Sequence, residues 1–456
     1  MTRIRPYLTA LLLSAAIIAW LPVTACGQLL HDGDSTASDS TDIAADEEDL
    51  EMRLRGVTDY GGMEPIEIPS FIRPVDIKLN GTVWPFWMDP RRTYSIVHIG
   101  DSHMQADVAS DVTRQLFQYE FGDAGRGLIE PLRLAGTNQP TNYVFRSDIK
   151  WKAEKYMKPS SPDALGFTGC TLSAIAPTGT ITVGTNDEFD WKPFDSVKLY
   201  IDGDVDVTRV TDSESFPLKY SVTTDPADGQ MLLKFDRQVT QAVIGIRSRG
   251  RVNLHGAFLS SDRPGMFYNV IGHNGASYYS YGGINGFAKG VSTLRPDVLV
   301  VQLGTNEAFG GRFNSDVFKD QIHRLVSDLR TEMPGVPVLL VTPQECQKRV
   351  GRRRKGRRST GGTYSVNKNV ALARQAILDY GREQGVAVYD FYEAAGGEGS
   401  SQKWLDAGLL SADRVHLTGG GYRLMGRLLY DALAPMVGGN PSDYDIPEPA
   451  DNHMMP

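Results

Sequence analysis

A serine, a histidine and an aspartate at two distant points of the 456-residue chain have the types and spacing that acyl transfer needs. Ser102 follows Gly100-Asp101 directly after the β-rich run Tyr94–Ile99, and a helical pattern with Val108, Val112 and Leu116 four residues apart begins just beyond it. Strand, tight turn and helix in that order expose a hydroxyl at a strand end and leave its backbone N–H at the positive end of a helix. A serine hydroxyl is a weak nucleophile at neutral pH, so it requires a base, a group that orients the base, and donors for the oxyanion. Far along the chain, Asp413-Arg414-Val415-His416 sets a carboxylate three residues ahead of an imidazole, just before a last helical segment. One turn of backbone lets Asp413 hold Nδ1–H while Nε2 faces the serine. No Gly-x-Ser-x-Gly occurs, so the nucleophile elbow of the α/β-hydrolases is unsupported.

Surrounding elements must hold these groups together. The first unit is echoed by the strand-like run Asp297–Leu303, which ends in Gly304-Thr305-Asn306; its following helix carries Phe318, Ile322, Leu325 and Leu329 on one face. A strand at Val338–Thr342, a helix around Asn367–Gln384, a strand at Val386–Asp390 and a helix from about Gly420 to Ala434 follow. Near-continuous apolar strands alternating with amphipathic helices predict a three-layer α/β domain with a parallel sheet covered on both faces. Ligands of such sheets bind beyond the carboxyl ends of the strands, where Ser102 and Asn306 both fall. Between about Asn142 and Ser261 the pattern changes to short alternating runs such as Thr180–Val183, Val197–Ile201, Met231–Phe235 and Ala242–Ile246, separated by Gly, Asp, Pro and Asn. That rhythm predicts an all-β sandwich inserted after the first helix.

The chain ends and the composition narrow the class. Arg3 and Arg5, the apolar run Tyr7–Val23 and then Val23-Thr24-Ala25-Cys26 have the layout of an export signal. Small residues ahead of a cysteine resemble the lipobox of bacterial lipoproteins, in which the Cys26 thiol carries the lipid. From His31 to Glu51 nine residues are acidic and none is Lys or Arg, a stretch unable to bury enough apolar area to offset its chain entropy. The predicted organisation is a signal peptide over 1–25, an acidic tether over 26–60, α/β segments over 61–140 and 263–437 flanking a sandwich over 141–262, and a tail over 438–456. A net charge of −8 gives no basis for nucleic-acid binding. Besides Cys26 the chain has only Cys170 and Cys346, so at most one bridge is possible, and spacing does not decide whether it forms. No CxxC or HExxH spacing occurs and the eight histidines are scattered, so neither a metal nor another cofactor is expected.

Gly100-Asp101-Ser102, a later glycine, Gly304-Thr305-Asn306 and Asp413-x-x-His416 stand in the order of the SGNH (GDSL-type) hydrolases, and the chain resembles that family over roughly residues 92–135 and 265–437. The resemblance implies an SGNH-like, flavodoxin-like fold and a triad of Ser102, His416 and Asp413. It also implies an oxyanion hole made by the N–H of Ser102, a glycine N–H and the side chain of Asn306. Gly272-His273-Asn274-Gly275 offers two glycines, and Gly275, which leads into small residues, is the better match. His103 stands where the family usually has Leu and Glu307 where it usually has Asp; neither departure removes a donor. The long insert between the first two blocks, with His103 after the serine, is similar to the peptidoglycan O-acetylesterase branch. That likeness implies hydrolysis of acetyl esters on acylated envelope polysaccharide, O-acetylated peptidoglycan in particular, while the export signal and the lipobox-like segment predict an exported envelope protein held to a membrane through lipid on Cys26. The same triad would serve an O-acyltransferase with a sugar hydroxyl as acceptor. A glycan-binding lipoprotein with an idle triad is the alternative from another class, and the intact Ser, Asp and His speak against it.

Three further residues are candidate substrate contacts. His103 adjoins the nucleophile, although it could equally pack or hydrogen-bond locally. Tyr278, with Tyr279 and Tyr281, follows the oxyanion glycine and could stack on a sugar ring, while core packing is the commoner use of such aromatics. Arg126, in Gly125-Arg126-Gly127, would reach the cleft or sit exposed on a turn. Eight of the eleven residues Lys348 to Arg358 are basic; the run is either a solvated loop or an attractor for anionic polymer or lipid headgroups. Nothing in the sequence sets an oligomeric state.

Overall fold

Among the elements of the chain, five apolar runs are short, β-rich and separated by helices, and they pair side by side in parallel. In the computed structural model the described residues are 66–438, apart from 86, 88, 90, 157–164, 187–191, 226, 227, 229 and 351–362. The segments read from sequence as an export signal, a tether with Cys26 and a C-terminal tail, and most of the basic run, lie outside them.

The chain runs β1 (Thr93–Gly100), α1 (Ser102–Gln105) and α2 (Val108–Phe121). Strands then follow one another: β2 (Gly127–Ile129), β3 (Tyr143–Ser147), β4 (Lys152–Lys155), β5 (Cys170–Ile175), β6 (Thr178–Thr185), β7 (Phe194–Asp202), β8 (Asp206–Thr211), β9 (Tyr220–Thr224), β10 (Met231–Val239), β11 (Gln241–Arg247) and β12 (Arg251–Ser260). The α/β pattern resumes with β13 (Gly265–Gly272), α3 (Tyr278–Tyr281), α4 (Phe287–Ser292), β14 (Val298–Gln302), α5 (Thr305–Ala308) and α6 (Ser315–Glu332). It closes with β15 (Val338–Val341), the hairpin β16 (Gln347–Val350) and β17 (Thr363–Val366), α7 (Lys368–Gln384), β18 (Ala387–Tyr389), α8 (Phe391–Ala394), α9 (Ser400–Asp406) and α10 (Gly419–Val437).

The parallel sheet has the order β13-β1-β14-β15-β18. Alternation along β1 sends Val97 and Ile99 to one face, into a core with Phe318, Ile322 and Ile377, and Tyr94 and Ile96 to the other, into a core with Phe117, Leu429 and Leu433. The expected three-layer arrangement is therefore present, with α6 and α7 on one face and α2 and α10 on the other. A Cβ on Gly426 of α10 would lie 2.1 Å from the Ala109 carbonyl oxygen of α2, so glycine is what lets these two helices approach.

Strand β13 was not among the strands expected from sequence, because Asn269 interrupts its apolar run. That asparagine is buried and fully used: Oδ1 accepts the Leu128 N–H at 2.9 Å and Nδ2 donates to Ser95 Oγ at 3.1 Å. It joins the sheet edge to β2. Gly127 has φ 76°, and a Cβ there would meet Asn269 Oδ1 at 2.4 Å, so this close approach requires glycine.

Between the two α/β segments lie two antiparallel sheets, β4-β5-β12-β7-β10-β9 with β2 on β12, and β3-β6-β11-β8. Phe145, Ile181, Val197, Leu199, Ile244 and Leu254 are buried between them, as alternation in an inserted sandwich predicts. Strand β2 joins this sheet ahead of residue 141, being too short for its alternation to register in the sequence. Cys170 and Cys346 are both buried and unpaired.

A buried polar network ties the insert to the nucleophile-bearing helices. Asp107 accepts from Arg114 Nη2 at 2.8 Å, Arg126 Nη2 at 2.5 Å, Asn142 Nδ2 at 2.9 Å and Ser110 Oγ at 2.5 Å. Arg114 also donates to Asp111 at 2.7 Å and, through Nε, to the Tyr268 carbonyl of β13 at 3.0 Å. Two guanidinium groups are thus neutralised inside the protein, the condition under which buried charge is tolerated.

Candidate active site

Ser102 begins α1 at the carboxyl end of β1, and Asp101 caps that turn by accepting the His103 N–H at 3.0 Å. His416 lies in the loop before α10, whose Thr418 accepts the Gly421 N–H at 3.2 Å. The Asp413-x-x-His416 turn is closed by its own carboxylate: Oδ1 accepts the N–H of Val415 at 2.8 Å and of His416 at 2.9 Å, and the Ser411 hydroxyl at 2.7 Å. The other oxygen, Oδ2, lies 2.5 Å from His416 Nδ1, and His416 Nε2 lies 2.9 Å from Ser102 Oγ. With a carboxylate on one side, Nδ1 carries the proton and Nε2 is left to accept from the serine.

Burial alone would raise the Asp413 carboxyl. The hydrogen bond and charge of His416, with the Val415 N–H and the Ser411 hydroxyl, instead hold it well below its ordinary range, so it stays ionised wherever the imidazole can act as a base. The side chains of His416 and Asp413 are 42% and 44% exposed. The dyad is consequently open to solvent.

Gly275 and Asn306 come to the same strand ends. Gly275 sits in a turn with φ 79°, whereas Gly272 is the last residue of β13, paired with Gly100. Asn306, on α5 beyond β14, donates from Nδ2 to the Ala276 carbonyl at 2.8 Å and lies 3.4 Å from Asp101 Oδ2. Its amide therefore stands between the residue after Gly275 and the residue before Ser102. Among the described residues, the N–H groups of Ser102 and Gly275 donate to no other protein group. Gln105 ties this loop down: Oε1 accepts the Asn274 N–H at 2.7 Å while Nε2 donates to Thr137 Oγ1 and the Asn138 carbonyl, each at 2.9 Å. Neither Gln105 nor this loop clamp was foreseen, since an uncharged amide carries no spacing signal.

The remaining candidates fall elsewhere. Tyr278 is fully buried, its ring 5.5 Å from that of Phe318, and Arg126 is 2% exposed and paired with Asp107. Both side chains are buried, drawn inward by the apolar face of α3 and the charge of Asp107. Tyr279, on the other face of α3, is exposed. His103 is buried behind the site, with its ring 5.4 Å from that of His416 and Nδ1 3.3 Å from the Tyr422 hydroxyl. Burial and then the neighbouring His416 push its imidazole down to about 3, so it is a neutral packing partner of His416. Among the described residues, no His, Cys, Asp and Glu side chains are grouped to hold a metal ion, and no helix is long and apolar enough to cross a membrane.

Glu307 stands beside Asn306 with Oε1 accepting the Tyr278 N–H at 2.8 Å and Oε2 buried without a partner. Burial pushes this carboxyl up to about 7, with the nearby Asp101 charge adding to the shift. The folded protein therefore keeps a proton there that the unfolded chain releases near the ordinary value of 4.5. Between those two values stability falls as pH rises, and above about 7 the loss is complete. Glu307→Gln has no such proton to lose. Its stability advantage over wild type should grow from pH 5 to pH 8, by up to about 3 kcal/mol at roughly 1.4 kcal/mol per unit. Urea unfolding at the two pH values measures it, and a constant difference would rule the account out.

Comparison with known proteins bears on the domain and the fold. Residues 240–424 match the sequence profile of the GDSL-like Lipase/Acylhydrolase family. That range holds Gly275, Asn306, Asp413 and His416, while Ser102 lies ahead of it across the inserted strands. No curated protein sequence matches significantly. Among solved structures, a peptidoglycan O-acetylesterase superposes with a TM-score of 0.59 at 19% identity, over 76% of this chain and 92% of its own. A lipase/acylhydrolase from Enterococcus faecalis gives a TM-score of 0.27 at 20% identity, over 37% of this chain and 76% of its own. An acetyl-xylooligosaccharide esterase from Geobacillus stearothermophilus, in its R55A mutant form, gives 0.28 at 15% identity, over 39% and 74%; superpositions this partial carry no argument. The 0.59 match shows a fold shared over about three quarters of the chain. Residues 240–424 thus carry the match to a GDSL-like lipase/acylhydrolase domain, in a chain that shares its fold with a solved esterase.

Proposed function

We propose that this protein is an envelope esterase that removes O-acetyl groups from polysaccharide, with O-acetylated peptidoglycan as its substrate. The observation that carries the reading is the continuous hydrogen-bond chain from Asp413 through His416 to Ser102 at the carboxyl end of the parallel sheet. Ser102 Oγ attacks the acetyl carbonyl as its proton passes to His416 Nε2, and Asp413 holds the resulting imidazolium. The oxyanion is received by the N–H groups of Ser102 and Gly275 and by Asn306 Nδ2. The imidazolium then protonates the departing sugar oxygen, leaving an acetyl-serine. His416 next takes a proton from water, which attacks the acetyl-serine and releases acetate. The open dyad, the inserted sandwich over 141–262 and the likeness to a peptidoglycan O-acetylesterase support a polymeric, acetylated glycan.

The tether and Cys26 would hold this catalytic head at a membrane of the envelope, which mass spectrometry of the mature N-terminus reads directly. The basic run from Lys348 to Arg358 would concentrate anionic polymer near the site through screened attraction. Acetate release from O-acetylated peptidoglycan, measured beside p-nitrophenyl acetate hydrolysis, tests the reading. Both should proceed, and raising the salt to about 0.5 M should slow only the polymer reaction. Activity on the small ester without acetate release from glycan would remove the substrate assignment. Acetyl transfer to an added glycan in preference to water would make the protein a transferase.

A further inference from the structure

The exposure of Asp413 and His416 poses a mechanical question, because for side chains left this open the packing of His103 against His416 covers only part of the turn that must stay in register with Ser102. The turn closes on itself: the Ser411 N–H donates to the His416 carbonyl at 2.8 Å and the Arg414 N–H to the Ser411 carbonyl at 2.9 Å. Self-closure sets the shape of a turn but not its distance from a nucleophile on another element. Its tip, however, is tied to the fold through Arg414, whose φ of 64° lies in the left-handed region that residues with a Cβ seldom adopt. A residue is kept there only when its surroundings over-determine it.

The surroundings of Arg414 are unusually specific. Its carbonyl accepts the Gln347 N–H at 2.9 Å, and its Nη1 donates back to Gln347 Oε1 at 2.8 Å. Its guanidinium lies 4.4 Å from the centroid of the Tyr364 ring, within cation–π range. Gln347 opens β16 and pairs with Val366 of β17, while Tyr364 pairs with Arg349. Gln347 is itself buried, with Nε2 3.4 Å from Ser401 Oγ, and Ser401 is fastened to Glu345 by its hydroxyl at 2.6 Å and its N–H at 2.9 Å. The base of the hairpin is thus a fixed point, and the catalytic turn is clipped to it by one residue.

We propose that Arg414, seated on Gln347 and Tyr364, is a positioning residue that holds the Asp413–His416 turn in register with Ser102, making the β16–β17 hairpin part of the catalytic framework. The proposal rests on the reading of Ser102 as nucleophile and His416 as base. It gives the hairpin a role separate from polymer capture, since a clip on the catalytic turn acts on every ester, however small.

Four variants and p-nitrophenyl acetate test it. Arg414→Ala should lower kcat by about 10- to 100-fold, the scale on which displacements near 1 Å act, with KM changed less than about twofold. Gln347→Ala should do the same, and the double variant should be no slower than the worse single one, because both break one clip. Arg414→Gly, which accepts the left-handed backbone without strain, should remain slow, and Arg414→Lys, which keeps the charge but not the planar fork, should not restore the rate. The rate at which a fluorophosphonate labels Ser102 should fall in step with kcat, while thermal midpoints confirm that each variant is folded. Wild-type kcat in Arg414→Ala, full recovery in Arg414→Lys or Arg414→Gly, or multiplicative losses in the double variant would overturn the proposal. If Ser102→Ala abolishes turnover while Arg414→Ala leaves it intact, only this inference falls; an active Ser102→Ala removes the functional reading beneath it.

Discussion

Ser102→Ala and His416→Ala are each expected to lower ester hydrolysis by about 10⁴- to 10⁶-fold, the scale on which single members of a nucleophile–base unit act. The reason is geometric: with 2.9 Å between Nε2 and Oγ, Ser102 and His416 form one proton path, which Asp413, 2.5 Å from Nδ1, orients without taking the proton, and loss of either end stops it. Combining the two substitutions should add little, because the second removes a part of a path already broken. Asn306→Ala belongs to the same series with a smaller loss of roughly 10²- to 10³-fold, since it removes one oxyanion donor among three. Activity should rise with pH as the imidazole gives up its proton, because only neutral imidazole accepts the serine proton. Steady-state kinetics on p-nitrophenyl acetate, with chemical denaturation to verify folding, measure the whole series. Undiminished turnover in Ser102→Ala would dispose of the triad.

Asp107→Ala is expected to cost about 3–5 kcal/mol of folding stability, the range for breaking a buried ion pair from one side. Removal of this carboxylate takes a charge partner from the buried Arg126 and from the buried Arg114, which keeps Asp111, and takes acceptors from Asn142 and Ser110 as well. Burial alone would raise the Asp107 carboxyl, but the two guanidinium groups hold it far below its ordinary range. Its contribution is therefore present above the ordinary carboxylate pKa and fades only as pH falls through the depressed value. Asp107→Asn, which keeps oxygen and shape but not charge, should sit between alanine and wild type. Urea midpoints at pH 7 for the three proteins test this, and a loss below about 1 kcal/mol in Asp107→Ala would contradict it.

Much of the architecture was legible from residue order alone, because it depends on periodicity and on short motifs whose parts are adjacent. The runs Tyr94–Ile99 and Asp297–Leu303 announced parallel strands, Phe318, Ile322, Leu325 and Leu329 announced the buried face of α6, and Ser102, Asn306 and Asp413-x-x-His416 each fell at a strand end or in a turn. Strand β13 escaped because Asn269 breaks its apolar run, and a buried asparagine can be recognised only once Leu128 and Ser95 are seen on either side of it. Arg126 and Tyr278 were misplaced for a related reason. A lone arginine in a glycine turn looks solvent-facing until Asp107 is brought beside it, and an aromatic after the oxyanion glycine looks free until Phe318 covers it. Sequence determined which groups could react and on which elements they sit, because those properties are local. Tertiary structure alone decided which of them meet, since Ser102 and His416, Asn306 and Ala276, and Arg414 and Gln347 are paired by the packing of the sheet and not by any spacing along the chain.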